Sequence, residues 1–145
     1  MMTRLFRSML PFSALASLCA CQSQIQIDGA SAFSSDEEET EIVLEIDDDV
    51  VRDLYADKIY YHVYIFDCRG VGAQYPAPPM INGKIPLTFE LPPKKNIKLS
   101  ATIPSRIFQS YKRACVELRG STYLGESTVS SNRLPVDVSK LRGSN

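Results

Sequence analysis

The chain has 145 residues, of which 16 are Lys or Arg and 17 are Asp or Glu, so its formal net charge is −1. A chain of this length corresponds to one domain with its own hydrophobic core. The basic residues form no dense stripe interleaved with aromatic side chains, which argues against a nucleic-acid partner.

Residues 1–20 have the organisation of an export signal. Arg4 and Arg7 form a positively charged start, and residues 8–20 form an apolar run that is too short to span a bilayer as a helix. This pattern predicts a signal peptide over residues 1–20. A buried N-terminal helix is the alternative interpretation.

The end of this run, Leu18-Cys19-Ala20-Cys21, resembles the lipobox of bacterial lipoproteins. The resemblance implies cleavage before Cys21 and acylation of Cys21, and several acyl chains would hold the protein stably on a membrane. Gln22 at the next position implies, by the same resemblance, sorting to the outer membrane with the protein facing the periplasm. An ordinary cleavable signal peptide is the alternative, because Leu18-Cys19-Ala20 also approximates a small-x-small cleavage site.

Residues 21–40 are rich in Ser, Ala, Gly and acidic side chains. This composition predicts a lipidated flexible tether. These acidic residues are part of an uneven distribution of charge along the chain. Residues 22–58 contain 12 acidic and two basic residues, whereas residues 59–145 contain five acidic and 12 basic residues. We interpret the acidic part as a solvated tether followed by a turn. Calcium binding, for which no loop motif is present, and attraction to a basic partner are the alternatives.

From residue 41 onward, apolar and polar residues alternate with the period of a β-strand. Alternating strands are predicted over residues 42–46, 85–91, 97–103 and 114–119, with a shorter strand over 134–138. In residues 59–66 both the odd-numbered and the even-numbered positions are apolar or aromatic, which predicts a central strand covered on both faces. Two short helices are predicted, at 50–56 after an Asp49 cap and at 106–112 after a Ser105 cap.

Turn residues separate the predicted strands. Asn82-Gly83 is typical of a tight turn, and residues 92–96 would join two amphipathic strands as a hairpin. Several short strands with Pro- and Gly-rich turns predict an all-β, mainly antiparallel domain over residues 41–145. We expect a small immunoglobulin- or transthyretin-like β-sandwich with one or two short crossover helices. A small closed barrel is the alternative.

Two cysteines remain in the mature chain, Cys68 and Cys115. A cysteine pair in an exported protein predicts a disulfide, because the periplasm is oxidising. The bond would close a loop of 46 intervening residues and contribute roughly 3–4 kcal/mol in the chain-entropy model. Two free thiols or half of a metal site are the alternatives, and neither has supporting ligand spacing.

The sequence lacks the patterns that catalysis requires. Its one histidine, His62, lies in the aromatic strand, and no nucleophile or carboxylate is placed beside it by the sequence. No serine-hydrolase, zinc-protease, P-loop or dinucleotide-binding motif occurs. We therefore predict a protein that is not an enzyme and that uses no cofactor or metal.

The first candidate binding residues lie in the aromatic strand. Tyr60, His62 and Tyr64 would share one face of it, and aromatic side chains favour protein interfaces. The alternative is that the rest of the sandwich covers this face.

The second candidates, Tyr123 and Leu124, lie in the long polar loop 120–133. Long loops on rigid sandwiches are common recognition elements. The alternative is that the loop contains an edge strand over residues 122–129.

In size, lipobox and strand pattern, the chain resembles small β-sandwich lipoproteins of bacterial secretion systems, among them a transthyretin-like outer-membrane lipoprotein and the pilotin-type lipoproteins. No residue motif of the mature domain carries this resemblance. It implies a lipid-anchored periplasmic binding or scaffold lipoprotein that docks on another cell-envelope protein, as an accessory of secretion or envelope assembly. The alternative is a periplasmic inhibitor or immunity lipoprotein against a lysozyme or a toxin.

Overall fold

A computed structural model describes residues 24–34, 36–86, 90–124 and 128–143. The predicted signal peptide and the predicted acylation site, Cys21, lie outside these residues. In chain order the elements are β1 (Gln24–Ile25), β2 (Gly29–Ser34), β3 (Glu39–Glu45), α1 (Asp48–Ala56), β4 (Tyr60–Asp67), β5 (Tyr75–Ala77), β6 (Met80–Ile81), β7 (Leu99–Pro104), α2 (Ser105–Ser110), β8 (Ala114–Ser121), β9 (Thr128–Ser131), β10 (Leu134–Pro135) and a 3₁₀ helix (Ser139–Gly143).

The strands form two sheets, which confirms the predicted all-β sandwich. Sheet A has the order β1-β9-β8-β4-β5, with β10 also paired to β8, and sheet B has the order β2-β3-β7-β6. β1 and β9 are parallel, whereas the other pairs of named strands are antiparallel. The longest pairing joins β4 to β8 over their full length.

The hydrophobic core lies between the two sheets. Val63 of β4 is paired with Leu118 of β8, and both are fully buried. They belong to one cluster with Ile42 and Leu99 of sheet B. Successive side chains of a strand point to opposite faces, so the alternation that predicted β3, β7 and β8 also assigns their apolar residues to this core.

The segment that was predicted to be a flexible tether is part of the sandwich. Ile25 of β1 and Ala32 of β2 are buried in the core. The other edge of β2 is bonded to Asp137, since Ala32 N–H donates to the Asp137 carbonyl and Asp137 N–H to the Ala30 carbonyl, both at 2.8 Å. The tether prediction is therefore wrong for residues 24–34, and the folded domain begins no later than Gln24, not at residue 41.

Helix α1 confirms the helix predicted at 50–56, but its cap differs. Asp47, not Asp49, is the N-cap residue, and its carboxylate accepts a hydrogen bond from the Asp49 amide at 2.8 Å. The Asp48 carboxylate accepts from the amides of Asn96 and Ile97, at 2.8 and 3.1 Å. Asp47 and Asp48 thus stabilise the helix start and its junction with the chain before β7.

Helix α2 is shorter than the helix predicted at 106–112. Ser105 is its first residue and not its cap, and the Ser105 hydroxyl is paired with the buried Thr40 hydroxyl at 3.0 Å. Pro104 occupies the N-cap position without a side-chain hydrogen bond, and Phe108 anchors the helix in the core.

The prediction of a strand over residues 85–91 is wrong for those of its residues that the structure describes. Residues 85, 86, 90 and 91 lie outside any strand, and residues 87–89 lie outside the described part of the chain. Proline has no N–H for a sheet ladder; Pro86 lies within this segment, and Pro92 and Pro93 directly follow it. The hairpin predicted at 92–96 consequently lacks its first strand.

The Asn82-Gly83 turn is confirmed. Both residues have left-handed backbone angles, with φ of 50° and 78°. Ile81 and Lys84 exchange two backbone hydrogen bonds, of 2.8 and 3.1 Å, across it. This geometry is that of the two-residue turn which an Asn-Gly sequence favours.

The predicted disulfide joins Cys68 to Cys115, whose Cα atoms are 4.9 Å apart. Cys115 lies opposite Phe66 in the β4–β8 pairing, and Cys68 directly follows β4. The bond therefore links these strands at one end of their ladder.

A buried carboxylate makes further contacts at the same end of the β4–β8 ladder. Asp67 accepts hydrogen bonds from the Arg69 guanidinium, at 2.8 and 3.0 Å, and from the Lys112 amide at 2.9 Å. The hydrogen bonds from Arg69 hold the pKa of Asp67 well below its ordinary value. The turn after β4 is thereby tied to the chain that enters β8.

Candidate binding face

Alternate residues of β4 and β8 point away from the core. The outward pairs, in register, are Tyr60–Ser121, His62–Arg119, Tyr64–Glu117 and Phe66–Cys115. We call these eight residues, together with Arg133 beside them, the outer face of sheet A. The predicted covering of β4 on both sides is wrong for Tyr60 and His62, which are exposed, and for Tyr64, which is half-buried. It holds for Phe66, which is buried.

Arg119 lies within the outer face, and its guanidinium contacts three other side chains. Its guanidinium carbon lies 4.6 Å from the centroid of the Tyr64 ring. One terminal nitrogen donates to Glu117 Oε2 at 2.7 Å and the other to Gln74 Oε1 at 2.9 Å. The hydrogen bond to Glu117 also raises the pKa of Arg119. The side chain nevertheless remains 31 % exposed, so a partner can contact it in a fixed orientation.

Glu117 joins two cations within this face. Its Oε2 atom accepts from Arg119 at 2.7 Å and from Arg133 Nε at 2.9 Å, and the Arg133 guanidinium also lies 5.4 Å from the Phe66 ring centroid. Burial tends to raise the pKa of Glu117, but the hydrogen bonds from both arginines outweigh burial and lower it. Because two guanidinium groups share one carboxylate, these three residues carry a surplus of one positive charge.

The two predicted groups of binding residues meet at one end of the face. The rings of Tyr60 and Tyr123 have centroids 6.3 Å apart, although 63 positions separate them in the chain. Leu124 follows in the same turn. Tyr60 is 50 % exposed, Tyr123 84 % and Leu124 73 %.

The remaining predictions for these segments have mixed outcomes. His62 and Tyr64 lie further along β4, with ring centroids 6.5 Å apart. The alternative of an edge strand over 122–129 is wrong for residues 122–124, which lie outside any strand, whereas residues 128 and 129 belong to β9, which lies between β1 and β8. Residues 125–127 lie outside the described part of the chain.

Sequence reasoning missed the charged half of the face. Glu117 and Arg119 alternate with Val116 and Leu118, which was a signal that they point outward. Their contact with Tyr64 depends on the β4–β8 register, and that register was not predictable from either strand alone.

Among the residues that the structure describes, no group of three or more His, Cys, Asp or Glu side chains could hold a metal ion. Within the same part of the chain, no helix is long and apolar enough to cross a membrane. What the outer face does offer is a guanidinium in fixed orientation, aromatic rings and a small positive surplus, which are the elements of a recognition surface.

The chain matches no protein-family model, no curated protein and no solved structure.

Proposed function

We propose that this protein is a lipid-anchored protein of the bacterial outer membrane that faces the periplasm and docks on another cell-envelope protein through the outer face of sheet A. It acts as a binding or scaffold accessory of secretion or envelope assembly, not as an enzyme. The acyl anchor is supported by the lipobox-like segment that ends at Cys21.

The docking proposal is carried by the position of Arg119. Binding an ordinary surface arginine orders a long side chain, which opposes association by about 0.5–1.5 kcal/mol. In the free protein Arg119 is already ordered by Tyr64, Glu117 and Gln74. Folding has therefore already ordered the guanidinium that a partner would contact, so binding loses little further side-chain entropy.

The charge of the face indicates the chemistry of the partner. The surplus positive charge of Arg119, Arg133 and Glu117 is complementary to an acidic side chain, and Tyr64 offers an apolar ring beside it. Arginine and tyrosine are enriched among residues that dominate binding energy. We expect a partner surface that presents a carboxylate next to an apolar or aromatic residue.

Site-specific photo-cross-linking in the native envelope tests this proposal. A photoreactive phenylalanine derivative replaces His62, which is exposed on the outer face of sheet A. The matched control replaces Glu45, which is exposed on β3 of the other sheet. We expect one discrete adduct with a cell-envelope protein from position 62 and none from position 45.

Equal adducts from positions 62 and 45 would contradict docking through the outer face. An adduct with a secreted lytic enzyme or a toxin would contradict the scaffold role and favour the inhibitor alternative. Both outcomes are distinguished by mass spectrometry of the cross-linked band.

A further inference from the structure

The predicted acylation site stands very close to the folded domain. Cys21 precedes Gln24, the first residue of β1, by three positions. Three residues span at most about 11 Å between Cα atoms even when fully extended. If Cys21 carries the lipid, the membrane surface lies within a short, bounded distance of the start of β1.

The strand pairing shows at which end of sheet A the chain enters. Tyr60, Ser121 and Thr128 form one row across β4, β8 and β9, and we call this end of the sheet the Tyr60 pole. Gln24 is paired with Ser130, two residues after Thr128. Because β1 is parallel to β9, the chain enters β1 from the side of the Tyr60 pole.

The Tyr60 pole carries three exposed apolar or aromatic side chains close together. Tyr123 and Leu124 are largely exposed, and the Tyr123 ring packs near that of Tyr60. Strand β4 lies three strands from β1 in sheet A, which is about 14 Å at ordinary strand spacing. A surface that holds Cys21 beside β1 can therefore also contact this cluster.

We propose that Tyr60, Tyr123 and Leu124 contact the membrane surface, with Tyr123 and Leu124 entering the headgroup region beside the acyl anchor. This inference rests on the lipid anchor of the proposed function and adds the orientation of the domain. Tyrosine suits this position because its ring is apolar and its hydroxyl is polar, so it is enriched at membrane–water interfaces. Leucine adds apolar area that water otherwise covers.

The orientation has a consequence for docking. With the Tyr60 pole on the membrane, the strands of sheet A stand away from it, and the disulfide end points into the periplasm. Arg119 and Tyr64 then lie along the side of the domain, where a neighbouring envelope protein can reach them.

Tryptophan fluorescence tests the membrane contact, because the chain contains no tryptophan. The full-length variants Tyr123→Trp and Leu124→Trp are compared with Val71→Trp. Val71 is 66 % exposed and lies in the turn after Cys68, at the opposite end of β4. Each variant is purified from the membranes of a Gram-negative host and reconstituted into phosphatidylethanolamine–phosphatidylglycerol vesicles, with or without brominated lipid.

We expect all three variants to float with the vesicles and to unfold thermally like the unmodified protein. The emission of Tyr123→Trp and Leu124→Trp should shift to shorter wavelength and be quenched several-fold more by brominated lipid than that of Val71→Trp. Equal, weak quenching of all three variants in protein that floats would overturn the membrane contact and leave the anchor intact. Failure of the unmodified protein to float would contradict the anchor itself. A blue shift that appears only when an envelope protein is added would identify the cluster as a protein contact and overturn the inference.

Discussion

The two faces of sheet A are stabilised by different interactions, although both are built from β4 and β8. On the inner face Val63 is paired with Leu118 in the fully buried core, whereas one residue along the chain His62 is paired with Arg119 on the outer face. The inner face is stabilised by burial of apolar area. The outer face is ordered by hydrogen bonds and an arginine–aromatic contact that leave Arg119 partly accessible. The inner face should therefore determine stability, and the outer face should determine recognition.

The strongest way to test this difference is Leu118→Ala. Leu118 is fully buried, so the substitution removes apolar contacts and leaves a cavity, and we expect the free energy of unfolding to fall by about 2–5 kcal/mol. The neighbouring Arg119→Ala should lower it by less than about 1 kcal/mol, because its ion pair is partly exposed. Urea unfolding followed by circular dichroism measures both values. Equal losses from the two variants would contradict the division between the faces.

A smaller loss is expected from Gly120→Ala, in the row where Gly120 of β8 is paired with Tyr61 of β4. An added Cβ atom would lie 2.8 Å from the Tyr60 carbonyl oxygen, from Tyr61 Cβ and from Ile59 Cγ2. Backbone or core atoms must shift to admit it, so we expect a loss of about 1–3 kcal/mol. The same urea titration measures it, and a loss below about 0.5 kcal/mol would mean that this approach is not tight.

Glu117→Gln weakens the outer face without changing its shape. The amide loses the charge-assisted hydrogen bonds to Arg119 and Arg133. Since both arginines are partly exposed, we expect a loss of only about 1 kcal/mol at neutral pH. A loss as large as that of Leu118→Ala would show that the outer face also determines stability.

The smallest effect concerns pH. The pKa of Glu117 is lowered in the folded protein, so its ion pairs stabilise the protein above the ordinary glutamate pKa and lose this effect as the pH falls through the folded pKa. The stability difference between the unmodified protein and Glu117→Gln should therefore be constant near pH 7 and shrink in acid. Asp67 also has a lowered pKa, but it is present in both proteins. A difference that grows in acid would contradict this sign.

The parts of the fold that were predictable are those with a local signal. The alternation around Ile42 and Val116 indicates strands because burial on one face requires every second residue to be apolar. The same logic missed β1 and the residues directly after it, where Ile25 and Ile27 alternate with polar residues, because the acidic and small residues that follow are typical of linkers.

The candidate site was predictable only in its aromatic half. Tyr60 and Tyr64 lie in one strand, so their common face follows from spacing alone. The contacts of Glu117 with Arg133 and of Arg119 with Tyr64 join distant parts of the chain, and they depend on strand register and on the course of the chain between β9 and β10.

The most direct test of docking through the outer face compares two surface cations. Arg119 and Lys98 each form an ion pair with a glutamate, at 2.7 and 2.8 Å, but Arg119 lies on the outer face of sheet A and Lys98 pairs with Glu41 of sheet B. The measurement is the yield of the position-62 photo-adduct in Arg119→Ala and in Lys98→Ala, in membranes with equal amounts of each protein. We expect Arg119→Ala to reduce the yield at least about tenfold, as for a residue that dominates binding, and Lys98→Ala to leave it unchanged. Equal yields from both variants would contradict docking through the outer face of sheet A.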